Sequence, residues 1–228
     1  MSLSSFQAFL KSLSTFPLLG DSMSKEDYIA LDLSVNNSDL KSVNVSSSIA
    51  LEVFIWDFMA KHNAKASYGG YLEQRSIYRR SDYFNQDTPE EERNIHLGLD
   101  LWIEASAPIF SPLDAKIHSF RNNTNYGDYG PTIILEHNLE NNKFYTLYGH
   151  LSLESLVDLK VGKEIKQGQQ IATLGTAEVN GDYPPHLHFQ IIKDIQEFEG
   201  DYPGVSNHHD LEFYKENCPD PGLLLGLF

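Results

Sequence analysis

His96-Leu97-Gly98-Leu99-Asp100 and His186-Leu187-His188 are the segments of this 228-residue chain whose residue types and spacing suit metal chemistry. Side chains two or four apart on a strand face the same side. His96 and Asp100 then present an imidazole and a carboxylate together, either along a strand or across a bend at Gly98. His186 and His188 present two imidazoles in the same way, and Pro184-Pro185 just before them favours an extended approach. Alone, H-x-x-x-D is weak, because it arises often by chance, and H-x-H is moderate. Two histidines on one strand face are costly in a core unless they bind something. A third context, Tyr148-Gly149-His150-Leu151, places a histidine at the exit of an aromatic strand, where functional groups often lie. Two imidazoles and a carboxylate leave a fourth coordination position open, the pattern of catalytic rather than structural zinc. The histidines left over then stand beside the ion as acid–base groups that take a proton from water and stabilise developing charge.

Of the nine histidines, the other five read as ordinary. His62 ends a helical pattern, where a cation is favourable. His208 and His209 fall in a polar loop, and His118 and His137 in strand-like segments. His137 alone among these is kept as a candidate for lining the site.

The elements that position these groups change character along the chain. Phe6, Phe9, Leu10 and Leu13 have helical spacing, and Pro17 follows as a stop. Tyr28 to Leu33 alternates like a short strand, and a polar loop runs from Asn36 to Ser48. Leu51, Phe54, Ile55, Phe58 and Met59 fit i, i+3, i+4, i+7, i+8, which predicts an amphipathic helix fading near Asn63. Gly69-Gly70 reads as a turn, and residues 85–92 as an exposed acidic loop. From Ile95 on, short β-branched and aromatic runs alternate with Gly, Pro, Asn and Asp: 99–103, 115–120, 132–137, 144–150, 164–166, 170–174 and 186–192. This punctuation predicts a mainly β core of sandwich or barrel-like form. The expected division is a mostly helical N-terminal extension over 1–92, a zinc-binding β core over 93–193 and a tail packed on it over 194–228, α+β overall.

Composition narrows the partners. With 17 basic against 32 acidic residues the formal charge is −15, which repels phosphate backbones and argues against nucleic acid. No apolar run reaches the roughly 20 residues of a membrane span. The lone Cys218, in Cys-Pro-Asp-Pro, reads as a structural thiol rather than a nucleophile. Lys11 and several serines interrupt the apolar residues at the N-terminus, which lacks the form of a secretory signal. The expected location is the cytoplasm.

At HLGLD, YGHL and PHLHF, in that order, the chain resembles the M23 family of zinc metalloendopeptidases, the lysostaphin- or LytM-type peptidases. PIFSPLDAKIHSF and VGKEIKQGQQIATLG resemble further family segments, so the likeness covers roughly residues 94–192. It implies an antiparallel β core with a groove holding one Zn2+ per chain. His96, Asp100 and His188 would be the ligands, and His150 and His186 would handle proton transfer and transition-state charge. Family members usually cut glycyl or D-alanyl bonds of cell-wall peptides. The N-terminal part and the tail look like those of a subgroup whose M23 unit also occurs fused to aminotransferase and kinase-like domains. That context implies association with such domains and a small or intracellular substrate.

Tyr148, Asn180 and Tyr183 are candidate substrate contacts at the groove rim. Glu73 and Arg75 are candidates for reaching over the groove, with an exposed salt bridge as the simpler reading. The leading function is zinc-dependent hydrolysis of a peptide or small amide. A zinc hydrolase of a small non-peptide substrate and a non-catalytic M23-like binding module are the rivals.

Overall fold

The computed structural model describes residues 3–82, 84, 88 and 91–226. The acidic loop expected over 85–92 falls largely outside these residues. In chain order the regular elements are α1 (Ser5–Ser12), β1 (Tyr28–Ala30), α2 (Ser48–Lys61), β2 (Ala66–Gly69), β3 (Ile95–His96), β4 (Leu99–Trp102), β5 (Pro108–Phe110) and β6 (Ala115–Asn123). They continue with β7 (Gly130–Leu139), β8 (Asn142–Gly149), β9 (Glu164–Ile165), β10 (Gln170–Thr173), β11 (His186–Ile192), β12 (Val205–Ser206), α3 (Leu211–Asn217) and α4 (Gly222–Leu225).

The chain is mainly β, as the strand punctuation implies. Eight strands form one sheet in the order β1-β2-β4-β11-β8-β7-β6-β9. All its pairs are antiparallel except β1 with β2. That parallel pair needs a crossover, which α2 supplies. Two smaller pairs, β5 with β10 and β3 with β12, complete the strands.

β11 lies between β4 and β8 and is buried at every position. Alternation divides it. Leu187, Phe189 and Ile191 enter the main apolar core with Leu99 and Leu101 of β4, Tyr148 of β8 and Ile109 of β5. His186, His188 and Gln190 occupy the opposite face.

The N-terminal segment serves both faces. Phe6 and Phe9 of α1 meet Phe144 edge-on, with centroids 5.8 and 6.1 Å apart, on the main core. α2 buries Leu51, Ile55 and Met59 in a second cluster with Leu31, Leu33, Ile77, Trp102 and Val205. The segment therefore carries helices where the periodicity puts them, and it also adds β1 and β2 to the sheet. β2 had no signature in the sequence beyond the turn at Gly69-Gly70. Ala66-Ser-Tyr-Gly is short, and its partner β4 lies about thirty residues downstream.

His137 does not line any site. It is fully buried on β7, stacked on Phe144, with Nδ1 donating to the Asp114 carbonyl and Nε2 2.8 Å from the Thr146 hydroxyl. Burial holds its pKa down to about 4. An unfolded chain takes up that proton near pH 6.5. The stabilisation from keeping this ring neutral is thus complete above about pH 6.5 and is lost as pH falls toward 4. Replacing His137 with Gln is expected to reduce the loss of unfolding free energy between pH 7 and pH 4.5 by about 2–3 kcal/mol. Urea unfolding of both proteins at the two pH values measures this; an unchanged loss would contradict it.

Candidate active site

The site is assembled by one register. Asp100 on β4 lies directly opposite His188 on β11, and Gly149, just before His150, lies opposite His188 on the other side. Side chains in directly opposite antiparallel positions have Cβ atoms roughly 5 Å apart. β3 delivers His96 from the adjoining turn through Gly98. A Cβ on Gly98 would stand 2.5 Å from the His188 ring, so glycine is what lets the turn close over that ring.

Three atoms converge there. His96 Nε2 and His188 Nδ1 are 2.8 Å apart, and each lies 3.2 Å from Asp100 Oδ1. His186 Nε2 is 3.8 Å from the same oxygen. Every one of these histidines commits its other nitrogen outward. His96 Nδ1 donates to the Gly70 carbonyl (2.9 Å) and His186 Nδ1 to the Pro184 carbonyl (2.8 Å). His150 Nδ1 donates to the Asn180 carbonyl (2.7 Å). His188 Nε2 donates to Gln190 Oε1 (3.0 Å), whose amide is oriented because its Nε2 donates to the Pro203 carbonyl and to Cys218 Sγ. With their outer nitrogens so anchored, the rings present their remaining nitrogens inward.

Electrostatics keep the set in that state. Burial pushes His96 and His186 down to about 4, against the pull of Asp100. Burial, then His186 and His188, hold His150 well below the ordinary histidine range. Asp100 is 1% exposed, and burial alone would raise its pKa; His96, Arg75 and His186 outweigh burial and hold it well below the carboxylate range.

Neutral imidazoles and an ionised carboxylate are the donor set of zinc. A tetrahedral zinc with bonds of about 2.0–2.2 Å needs its ligand atoms about 3.3–3.6 Å apart. The observed separations come close to that, and lone pairs gathered without a proton repel each other unless a cation lies among them. The residues fit the ion. Among the described residues, His96, Asp100 and His188 are the group of three or more metal-ligating side chains brought together in this way.

His150 and His186 stand side by side, centroids 4.2 Å apart. His150 has φ 62°, in the left-handed region that non-glycine residues seldom adopt. Its N–H donates to the Tyr129 carbonyl and its carbonyl accepts from Gly175, which fixes the ring at the end of β8. Trp102 stacks on His186 at 5.4 Å, and Tyr183 meets both rings edge-on.

The structure corrects the sequence reading of the remaining candidates. Tyr148 cannot contact a substrate at this site. It pairs with Phe189, shares that residue's face and is fully buried in the main core. The Asn180 side chain is also committed, donating to the Tyr183 carbonyl and accepting its N–H, and only its backbone carbonyl serves the site. Tyr183 does border the cleft, with its hydroxyl donating to Gly127 and Arg80 over its ring.

Glu73 and Arg75 form no exposed salt bridge. Residues 72–75 run along β3 through Leu72 N to His96 O, His96 N to Glu73 O and Arg75 N to Asn94 O. Arg75 is thereby buried behind Asp100, with Nη1 2.5 Å from Asp100 Oδ2 and Nε 2.5 Å from Glu73 Oε2. Its charge is held by Glu73 and Asp100 against burial, while burial raises the pKa of Glu73. Spacing alone cannot reveal such a contact. Trp102 and Gln190 were also missed, although period-two alternation from Asp100 and His188 places both on the site face.

Residues 94–199 match Peptidase family M23, and the chain carries an M23 peptidase domain over that stretch. The domain holds His96, Asp100, His150, His186 and His188; Glu73 and Arg75 lie before it. The chain is 26% identical over 197 residues to the peptidoglycan DD-endopeptidase ShyB of Vibrio cholerae, covering 80% of this chain and 43% of that protein. It is 33% identical over 98 residues to ShyC of the same organism, another peptidoglycan DD-endopeptidase, covering 42% of this chain and 20% of that one. The chain thus spans less than half the length of these relatives. The catalytic domain of lysostaphin from Staphylococcus simulans matches with a TM-score of 0.37 and 24% identity, over 54% of this chain and 80% of that one.

Arg75 is the counter-charge that buried Asp100 and half-buried Glu73 share. Arg75→Met leaves both carboxylates without that cation and is expected to lower stability by about 3–5 kcal/mol. Adding Glu73→Gln should recover part of that loss. Urea denaturation of the three proteins measures both effects, and an Arg75→Met protein as stable as wild type would refute the shared role.

Proposed function

We propose that the chain is a zinc-dependent hydrolase of peptide amide bonds, with His96, Asp100 and His188 as the ligands and His150 and His186 as the catalytic pair. The observation that carries this reading is the convergence of two outward-anchored imidazole lone pairs on the Asp100 carboxylate. A zinc ion there would polarise a scissile carbonyl and acidify water toward pH 7.

The protein groups divide the remaining work. The Asn180 and Pro184 carbonyls leave Nε2 of His150 and of His186 as lone pairs beside the cluster. One of the two accepts the proton of the attacking water and returns it to the departing amine. The imidazolium so formed stabilises the oxyanion of the tetrahedral intermediate until the proton leaves with the amine, and the other ring packs beside it with centroids 4.2 Å apart. Trp102 and Tyr183 hold the two rings and exclude water. The relatives' names specify peptidoglycan peptides, and a glycyl or D-alanyl bond is the substrate proposed here. No helix among the described residues is long and apolar enough to cross a membrane. The rival reading, a non-catalytic module, leaves the outward anchoring of four histidines without a purpose.

Elemental analysis of purified protein tests the ligands. Wild type is expected to hold about one zinc per chain, as the single open site implies. His188→Ala should lose the metal. His150→Ala should keep it while kcat falls about 10²–10⁴-fold. Full activity of His150→Ala, or no metal in wild type after zinc is supplied, would overturn the proposal.

A further inference from the structure

The metal cluster does not end with the M23 domain. Each candidate ligand turns a second atom to a partner, and two of these partners come from residues 70–75, before the domain begins. His96 Nδ1 donates to the Gly70 carbonyl at 2.9 Å. Arg75 Nη1 donates to Asp100 Oδ2. His188 finds its partner, Gln190, inside the domain. Gly70 is the joint between the first two contacts. Its φ is 105°, a conformation that side chains rarely adopt. A Cβ there would collide with Arg75 Nη2 and stand 2.8 Å from His96 Nδ1.

The guanidinium is itself held in a frame. Arg75 N donates to the Asn94 carbonyl alongside β3. Its Nε donates to Glu73 Oε2, and Glu73 Oε1 accepts from the Leu33 N–H at 3.0 Å. The Trp102 ring lies 5.4 Å from the guanidinium carbon. The segment that carries these groups is packed on the domain. Leu33, Leu51, Ile77 and Phe84 form an apolar wall beside the site, in one cluster with Trp102. Across the cleft, Ser48 Oγ donates to Asp182 Oδ1 at 2.7 Å, and Arg80 Nη2 donates to the Asp182 carbonyl at 2.6 Å. A planar guanidinium with donors in a rigid fork holds two carboxylates at set angles, which the point charge of a lysine does not.

The consequence falls on Asp100. Its Oδ1 faces His96 Nε2 and His188 Nδ1, 3.2 Å from each. Its Oδ2 is held by Arg75. The terminal torsion of an aspartate is soft, and a carboxylate left free to turn offers a metal one oxygen or two. We propose that Arg75 is a positioning residue of the metal centre: by holding Oδ2 it leaves Asp100 a single oxygen for the ion and so keeps one coordination position open. This rests on the zinc hydrolase reading above and adds to it a residue from outside the matched domain. Arg75 acts through Asp100, not on the substrate.

Cobalt(II) in place of zinc reports this directly, because its visible bands are intense when it is four-coordinate and weaken when a fifth ligand joins. The full chain is prepared as wild type, Arg75→Lys and Glu73→Gln, with circular dichroism as the check on folding. Arg75→Lys keeps a cation beside both carboxylates and loses the fork. Glu73→Gln keeps Arg75 and loosens its frame, and it carries the test should Arg75→Lys fold poorly. Wild type is expected to show four-coordinate cobalt. Both variants should shift toward the weaker five-coordinate bands as Oδ2 is freed, Arg75→Lys by more. Their zinc affinity, measured by competition with a chromophoric chelator, should fall about 10–100-fold, the usual cost of losing a group that orients a metal ligand. Identical cobalt spectra in the folded proteins would overturn the inference. So would a loss of affinity with an unchanged spectrum, which reports a weaker site and no freed oxygen. Wild type that takes up neither cobalt nor zinc would defeat the hydrolase reading itself, and this inference with it.

Discussion

Imidazole lone pairs and a carboxylate repel when gathered without a proton, and in this molecule they are gathered at 2.8–3.2 Å with almost no solvent to screen them. The rest of the site is organised around that constraint. Outward carbonyls of Gly70, Pro184 and Asn180 and the amide of Gln190 hold one nitrogen of each ring, so the other cannot turn away. Arg75 balances the carboxylate from behind, bound in turn by Glu73. Removing any of these anchors frees a ring or a charge in a place where water cannot compensate.

The sheet is what makes the arrangement rigid. β11 is covered on both faces and paired on both edges, so the histidines on one face inherit the stiffness of the apolar residues on the other. A slip of one residue would send His186 and His188 into the core and Leu187 and Phe189 into the cleft. Chemistry and folding thus select the same register. The N-terminal segment supplies what the domain alone lacks: a counter-charge behind Asp100, an apolar wall beside it and fastenings across the cleft.

The metal cluster was legible because strands have a short period. H-x-H, Y-G-H-L and H-x-G-x-D each mark one face or one strand end, and their order agrees with the M23 domain found over 94–199. The same period places Trp102 and Gln190 on the site face. Tyr148, two positions before His150, is no substrate contact for a reason the period does not show: it pairs with Phe189 in the core, and the φ of 62° at His150 breaks the alternation at the end of β8. The amphipathic helix at 48–61 was legible for the corresponding reason, a 3.6-residue stripe of Leu51, Ile55 and Met59.

By itself, then, the sequence determined which residue types share a face, where the strands and helices of strong period lie, and which family the domain belongs to, because all of these follow from local spacing. Only the tertiary structure decided that Arg75 lies behind Asp100, that Gln190 is aimed by Cys218, that His137 belongs to the core, and that Leu33 to Phe84 wall the cleft. Those facts depend on which distant segments pack together. Long-range packing is set by the shape of the whole buried surface, and no pattern confined to a few neighbouring residues encodes it.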